Sequence, residues 1–117
     1  MSNTVVIRQG GKTVALSVGS TAHAAVQISG NTNDQINFAS CLNTGSAPVT
    51  IKFSQLSTDV ASIPVDGTPG DYVLPANMQW PITLAVPTIN TQNPCYVTAI
   101  AGSGTNLVYI TPAVDQS

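Results

Sequence analysis

The chain reads as an all-β protein, an antiparallel β-sandwich of jelly-roll or Greek-key type with about eight to ten short strands, and three observations predict it. Apolar residues recur with a period of two in segment after segment, which puts alternate side chains on one face of a strand and does not fit the 3.6-residue period of a helix. These runs are rich in Val, Ile and Thr, which favour strands, whereas glutamate is absent and lysine and arginine total three. Clusters of Gly, Pro, Asn, Asp and Ser punctuate the runs at the spacing of a sandwich.

In chain order, Val14, Leu16 and Val18 alternate with Ala15 and Ser17 to give the first clear strand, after the turn signal Gln9-Gly10-Gly11, whose glycines are expected to supply positive φ. Ser20 to Gln27 contains local helix formers around His23 but is too short to stand as a helix. Ile36 and Phe38 mark the next strand, preceded by the Asx-turn cluster Gly30 to Asp34. Asn43-Thr44-Gly45 then leads into Val49, Ile51 and Phe53. Asp66-Gly67-Thr68-Pro69-Gly70-Asp71 reads as a loop, and Trp80, Ile82, Leu84 and Val86 as a strand in which Pro81 implies an edge or a bulge. Tyr96 to Ala101 and Leu107 to Ile110, joined by Gly102-Ser103-Gly104-Thr105, read as a hairpin. The first three residues and Ala113 to Ser117 read as frayed, flexible ends.

Size and charge bound the function. The 117 residues suit a single domain over 1–117 that buries roughly 65% of its unfolded surface. Charged residues make up 7% of the chain, against about 25% in an average protein, so the surface must be largely Ser, Thr, Asn, Gln and Gly. A net charge of −2 makes nucleic acid a poor partner, because that affinity comes chiefly from Lys and Arg. No run approaches the roughly 20 apolar residues of a membrane helix, and no signal-peptide pattern opens the chain, so no membrane partner is expected and the protein is expected to stay in the compartment of synthesis.

No catalytic, cofactor or metal set emerges, and the expectation is a protein that binds or builds rather than an enzyme. His23 is the one histidine, without a motif that would pair it with a nucleophile. Asp66 and Asp71 are the closest carboxylate pair, yet aspartate is common in Gly/Pro loops for turn reasons, and the spacing lacks the alternating ligands of a calcium loop. Cys41 and Cys95 are expected as buried thiols, with a disulfide left open because pairing depends on geometry. Trp80, Tyr72, Tyr96 and Tyr109 offer a platform for a sugar, but Trp80 and Tyr96 lie in phase with apolar neighbours and are expected in the core. Gly102-Ser103-Gly104 lacks the strand-to-helix context of a phosphate cradle.

The whole chain resembles the small head decoration, cement or minor structural proteins of tailed bacteriophages. The stretches that carry the resemblance are Gly11 to Val18 with Ala24 to Ile28, Leu42 to Gly45 leading into Val49 to Phe53, the Val73-Leu74-Pro75 step and, most specifically, Tyr96 to Pro112. The Gly-Glu-Gly that often follows the final Thr-Pro in similar chains is missing here. The resemblance implies a structural virion protein on the capsid exterior, assembled in the bacterial cytoplasm. It would stabilise the shell by bridging major capsid subunits, with the major capsid protein and further copies of itself (a homo-oligomer) as partners. The loops at the ends of the sandwich and the chain termini are the expected contact regions. A neck- or tail-associated module that binds a receptor or carbohydrate is the alternative.

Overall fold

Alternation decides which side chains turn inward, and the computed structural model, which describes residues 7–29, 36–89 and 94–115, arranges the alternating runs into nine strands. These are β1 (Ile7–Gln9), β2 (Val14–Val18), β3 (Val26–Ile28), β4 (Ile36–Asn43), β5 (Val49–Ser54), β6 (Tyr72–Leu74), β7 (Ile82–Ile89), β8 (Cys95–Ala101) and β9 (Asn106–Asp115). No helix occurs among the described residues. One sheet has the order β1-β9-β4-β7, with β2 also on β9, and the other the order β3-β8-β5-β6; every pairing is antiparallel.

The pairs β2 with β9, β3 with β8, β4 with β7 and β5 with β6 are nested. The chain is therefore one long antiparallel ribbon, and wrapping that ribbon adds the β4–β9 and β5–β8 pairings. This is the jelly-roll solution for two facing sheets. Leu16, Val18, Cys41, Val108 and Ile110 from one sheet meet Ile28, Val49, Ile51, Leu74 and Val97 from the other in a single core. Each such aliphatic side chain contributes about 1.5–3 kcal/mol relative to exposure.

Three details depart from the sequence expectations. The predicted hairpin between Tyr96 to Ala101 and Leu107 to Ile110 does not form, because β8 lies in the four-stranded sheet and β9 in the five-stranded one. The intervening glycines turn a corner between sheets, with Gly104 at φ 71°; turn chemistry specifies a change of direction, not the strand that receives the chain. Gly10 and Gly11 do not form a positive-φ turn. They are buried between the collinear β1 and β2, where a Cβ on Gly10 would run into Ile36 and Val114 and one on Gly11 into the Ser29 carbonyl and Pro112. Ala113–Asp115, expected to fray, form the end of β9 and pair with β1.

The prolines follow hydrogen-bond accounting. Pro112 lies inside β9, and its carbonyl accepts from Gly10 N–H at 2.8 Å. The N and C=O of a strand residue point to the same edge, so the missing donor of Pro112 faces the break between β1 and β2. Pro81 precedes β7 instead of interrupting it, and β7 is an edge strand as Pro81 implied. The irregularity lies at Pro87: the register runs from Phe38↔Ala85 to Ile36↔Ile89, so β7 carries extra residues around that proline.

Candidate interaction surfaces

The residues weighed for chemistry are dispersed. His23 is half-buried; its N–H donates to Ala99 C=O at 2.7 Å, and its ring Nδ1 lies 2.7 Å from the Ala24 carbonyl, a contact that requires the Nδ1–H tautomer. The Thr98 hydroxyl donates to the His23 carbonyl at 2.6 Å, so this segment is fastened over β8 by backbone contacts. Asp66 and Gly67 are the central residues of a turn closed by reciprocal Val65–Thr68 backbone bonds at 3.1 and 2.8 Å. Gly67 has φ 79°, the left-handed position that a type II turn needs third in line. Asp71 instead accepts from Ser62 N–H at 2.8 Å while its own N–H donates to Ser62 C=O at 2.9 Å, closing the base of the loop. Each aspartate thus has a local structural task. Among the described residues, no group of three or more His, Cys, Asp or Glu could hold a metal ion.

Cys41 and Cys95 are unpaired, buried thiols facing the core from opposite sheets. Burial pushes the Cys41 thiol up to about 12 and Cys95 up to about 11 from 9.0, so neither is a ready nucleophile. Trp80 departs from the core expectation: it lies ahead of β7 and is 77% exposed. The strand alternation that would have turned it inward begins only at Ile82. Tyr96, also expected in the core, is instead half-buried on the side of β8 opposite the core residues Cys95 and Val97; Tyr72 is exposed at the β6 edge and Tyr109 is half-buried on the other sheet. The four aromatics therefore do not share one sheet face.

What the surface does offer is two contrasting areas. The first is the connection between β5 and β6, residues 55–71, longer than the usual limit of about 12–15 residues for loops without regular structure of their own. Its root is fixed by the Ser54 hydroxyl donating to Asp59 at 2.5 Å and by Lys52 Nζ at 3.4 Å from the same carboxylate. The Ser54 hydrogen bond, with Lys52 adding its charge, holds the Asp59 carboxyl below its ordinary value. Ala61 is buried, with its N–H on Thr98 Oγ1 at 3.4 Å, so the loop touches the outer face of the four-stranded sheet, where Thr50 and Thr98 are buried. Its other apolar residues face water: Leu56 (61% exposed), Val60, Ile63 and Val65 (60%), continued by Tyr72 and Val73 on the short edge strand β6. Sequence reading noted the Asp-Gly turn here but not this apolar content, because isolated Leu and Val in a loop carry no period.

The second area is the outer face of the five-stranded sheet. Register places Ala15, Tyr109 and Leu42 in one row across β2, β9 and β4, and Thr111, Ser40 and Thr83 in the next across β9, β4 and β7. Thr13 joins the second row through a 2.8 Å hydroxyl contact with Thr111. A third row holds Ala113, Phe38 and Ala85, and Ser17 lies opposite Leu107. None of these residues is charged.

The described residues form a jelly roll of two antiparallel sheets. No family model, no curated protein and no solved structure matches the chain. No helix among the described residues is long and apolar enough to cross a membrane.

Proposed function

We propose that this chain is a structural virion protein, a decoration or cement protein that binds a bacteriophage capsid shell and bridges major capsid subunits. The observation that supports the reading is the set of exposed apolar side chains Leu56, Val60, Ile63 and Val65 on a long loop held at both ends by hydrogen bonds. Apolar residues displayed on an anchored loop cost hydration in the free protein and gain it back only against a partner. The same segment carries Asp59, Asp66 and Asp71 and no lysine or arginine. It therefore suits a protein surface that presents apolar side chains beside basic ones. Repetition of that surface on a lattice adds avidity, and a ligand that binds only the assembled shell stabilises it. The jelly roll is shared by viral shell proteins and lectins, an analogy at the level of fold alone.

Co-sedimentation with shells assembled from the cognate major capsid protein tests this. Saturable binding that raises the disruption temperature of the shell is expected, with Val65→Asp weakening it at least tenfold. Absence of binding at every salt concentration overturns the proposal. The exposure of Trp80 favours a second reading, a receptor- or carbohydrate-binding module of the neck or tail. Glycan binding that is lost in Trp80→Ala, together with no shell binding, would establish that reading instead.

A further inference from the structure

We propose that the outer face of the five-stranded sheet is where a second copy of this chain docks, forming a two-fold dimer sheet against sheet. The inference stands apart from the shell reading, since it concerns the other side of the sandwich and requires nothing of the partner bound at residues 55–73.

Three observations carry it. The two outer faces differ: Ala61 of the 55–71 connection packs on the four-stranded sheet, where Thr50 and Thr98 are buried, whereas on the five-stranded sheet Leu107 is 40% exposed and Phe38, Leu42 and Tyr109 are half-buried. Second, the rows of this face from Ser17 and Leu107 to Phe38 and Ala85 carry no charge; Ala113 in the last row is buried, and Asp115 lies one row beyond. A two-fold interface opposes a surface to itself, so any charge near its axis meets its own sign; an uncharged face avoids this penalty, and the acidic 55–73 surface does not. Third, the size is sufficient. Four strand lines about 4.8 Å apart and some six to eight residues long span roughly 20 by 25 Å. Two such faces together cover about 1,000 Å², the lower bound for a specific interface. Three of the sheet edges are unsuited to pairing with another copy, since β3 and β6 have three residues each and β7 carries Pro87.

Sedimentation velocity on the full chain over a concentration series is the test. The wild type is expected to pass from monomer to dimer by about 100 µM, as suits a small interface. Leu107→Lys and Ser40→Lys each place like charges across the axis and are expected to raise the dissociation constant at least tenfold, whereas Val65→Lys, on the other surface, leaves it unchanged. Thermal melts separate loss of fold from loss of contact. A wild type that stays monomeric throughout overturns the proposal however the variants behave, as does a dimer that both folded lysine variants leave intact or that Val65→Lys dissociates. A monomer that still binds shells would overturn this inference alone.

Discussion

Asn43 and Asn106 grip the same residue from two sides: Asn43 Nδ2 donates to the Ala47 carbonyl at 2.9 Å, and Asn106 Oδ1 accepts from the Ala47 N–H at 3.0 Å. Both side chains are fully buried at the end of the sandwich. Asn43 also donates to Pro75 C=O at 3.1 Å and accepts from Gly45 N–H at 2.9 Å, and Asn106 donates to Val18 C=O at 3.3 Å and Ser103 C=O at 3.0 Å. Two amides thus join the β4–β5, β6–β7 and β8–β9 connections to the end of β2. Buried polar groups stabilise only when all are satisfied, as these are.

Asn106→Leu removes that satisfaction from three backbone groups at once. A loss of about 2–4 kcal/mol is expected, read as a lower denaturant midpoint at unchanged slope. Asn43→Ala is expected to cost a similar amount, and the double variant less than the sum, because both act through Ala47. Additive losses in the double-mutant cycle would show that the two amides act separately.

Trp80→Ala is expected to change stability by no more than about 0.5 kcal/mol, where a core tryptophan would cost about 3–5 kcal/mol. As the sole tryptophan, Trp80 also reports on itself. Its native fluorescence should be red-shifted and readily quenched by acrylamide; a blue-shifted, protected signal would contradict its exposure.

The thiols give an alkaline signature. Cys41 and Cys95 ionise near 9.0 when unfolded but only at about 12 and about 11 when folded, so above pH 9 the unfolded chain binds fewer protons than the native one. Stability from this source is complete below pH 9 and is lost as pH rises through the folded values. Cys41→Ala is expected to flatten that decline, at a cavity cost of about 1 kcal/mol. Native protein should resist thiol reagents at pH 8 and react only on unfolding.

Asp59 gives the opposite sign. The Ser54 hydroxyl and the Lys52 charge lower its pKa from 3.8, so its contribution is present above that value and lost as pH falls through the lowered folded value. Limited proteolysis of residues 55–71 is expected to accelerate in that acid range. Asp59→Asn should weaken the pH dependence and make the loop more readily cut at neutral pH; an unchanged cleavage rate would show that the loop is anchored elsewhere.

The sandwich was legible because its strands alternate: Leu16 and Val18, Val49 and Ile51, and Ile82 and Leu84 all point inward as their period of two requires. Alternation tells a face, not a neighbour. It could not say that β8 and β9 belong to different sheets, that Gly10 and Gly11 serve close approach instead of a turn, or that Trp80 falls just outside the strand it continues in phase. The contact surfaces were hidden for the same reason, since an exposed Leu56 and a buried Ala61 look alike in an aperiodic loop.

What the sequence alone determined is the all-β class, the inward faces of the regular strands such as those of Leu16, Val18, Val49 and Ile51, and the lack of charge, because these follow from local period and composition. Which strands pair, which outer face a loop touches, and how Asn43 and Asn106 come to share Ala47 were decided by tertiary structure. Those relations join residues as far apart as 43 and 106, and only the wrapping of the ribbon brings them within hydrogen-bond reach.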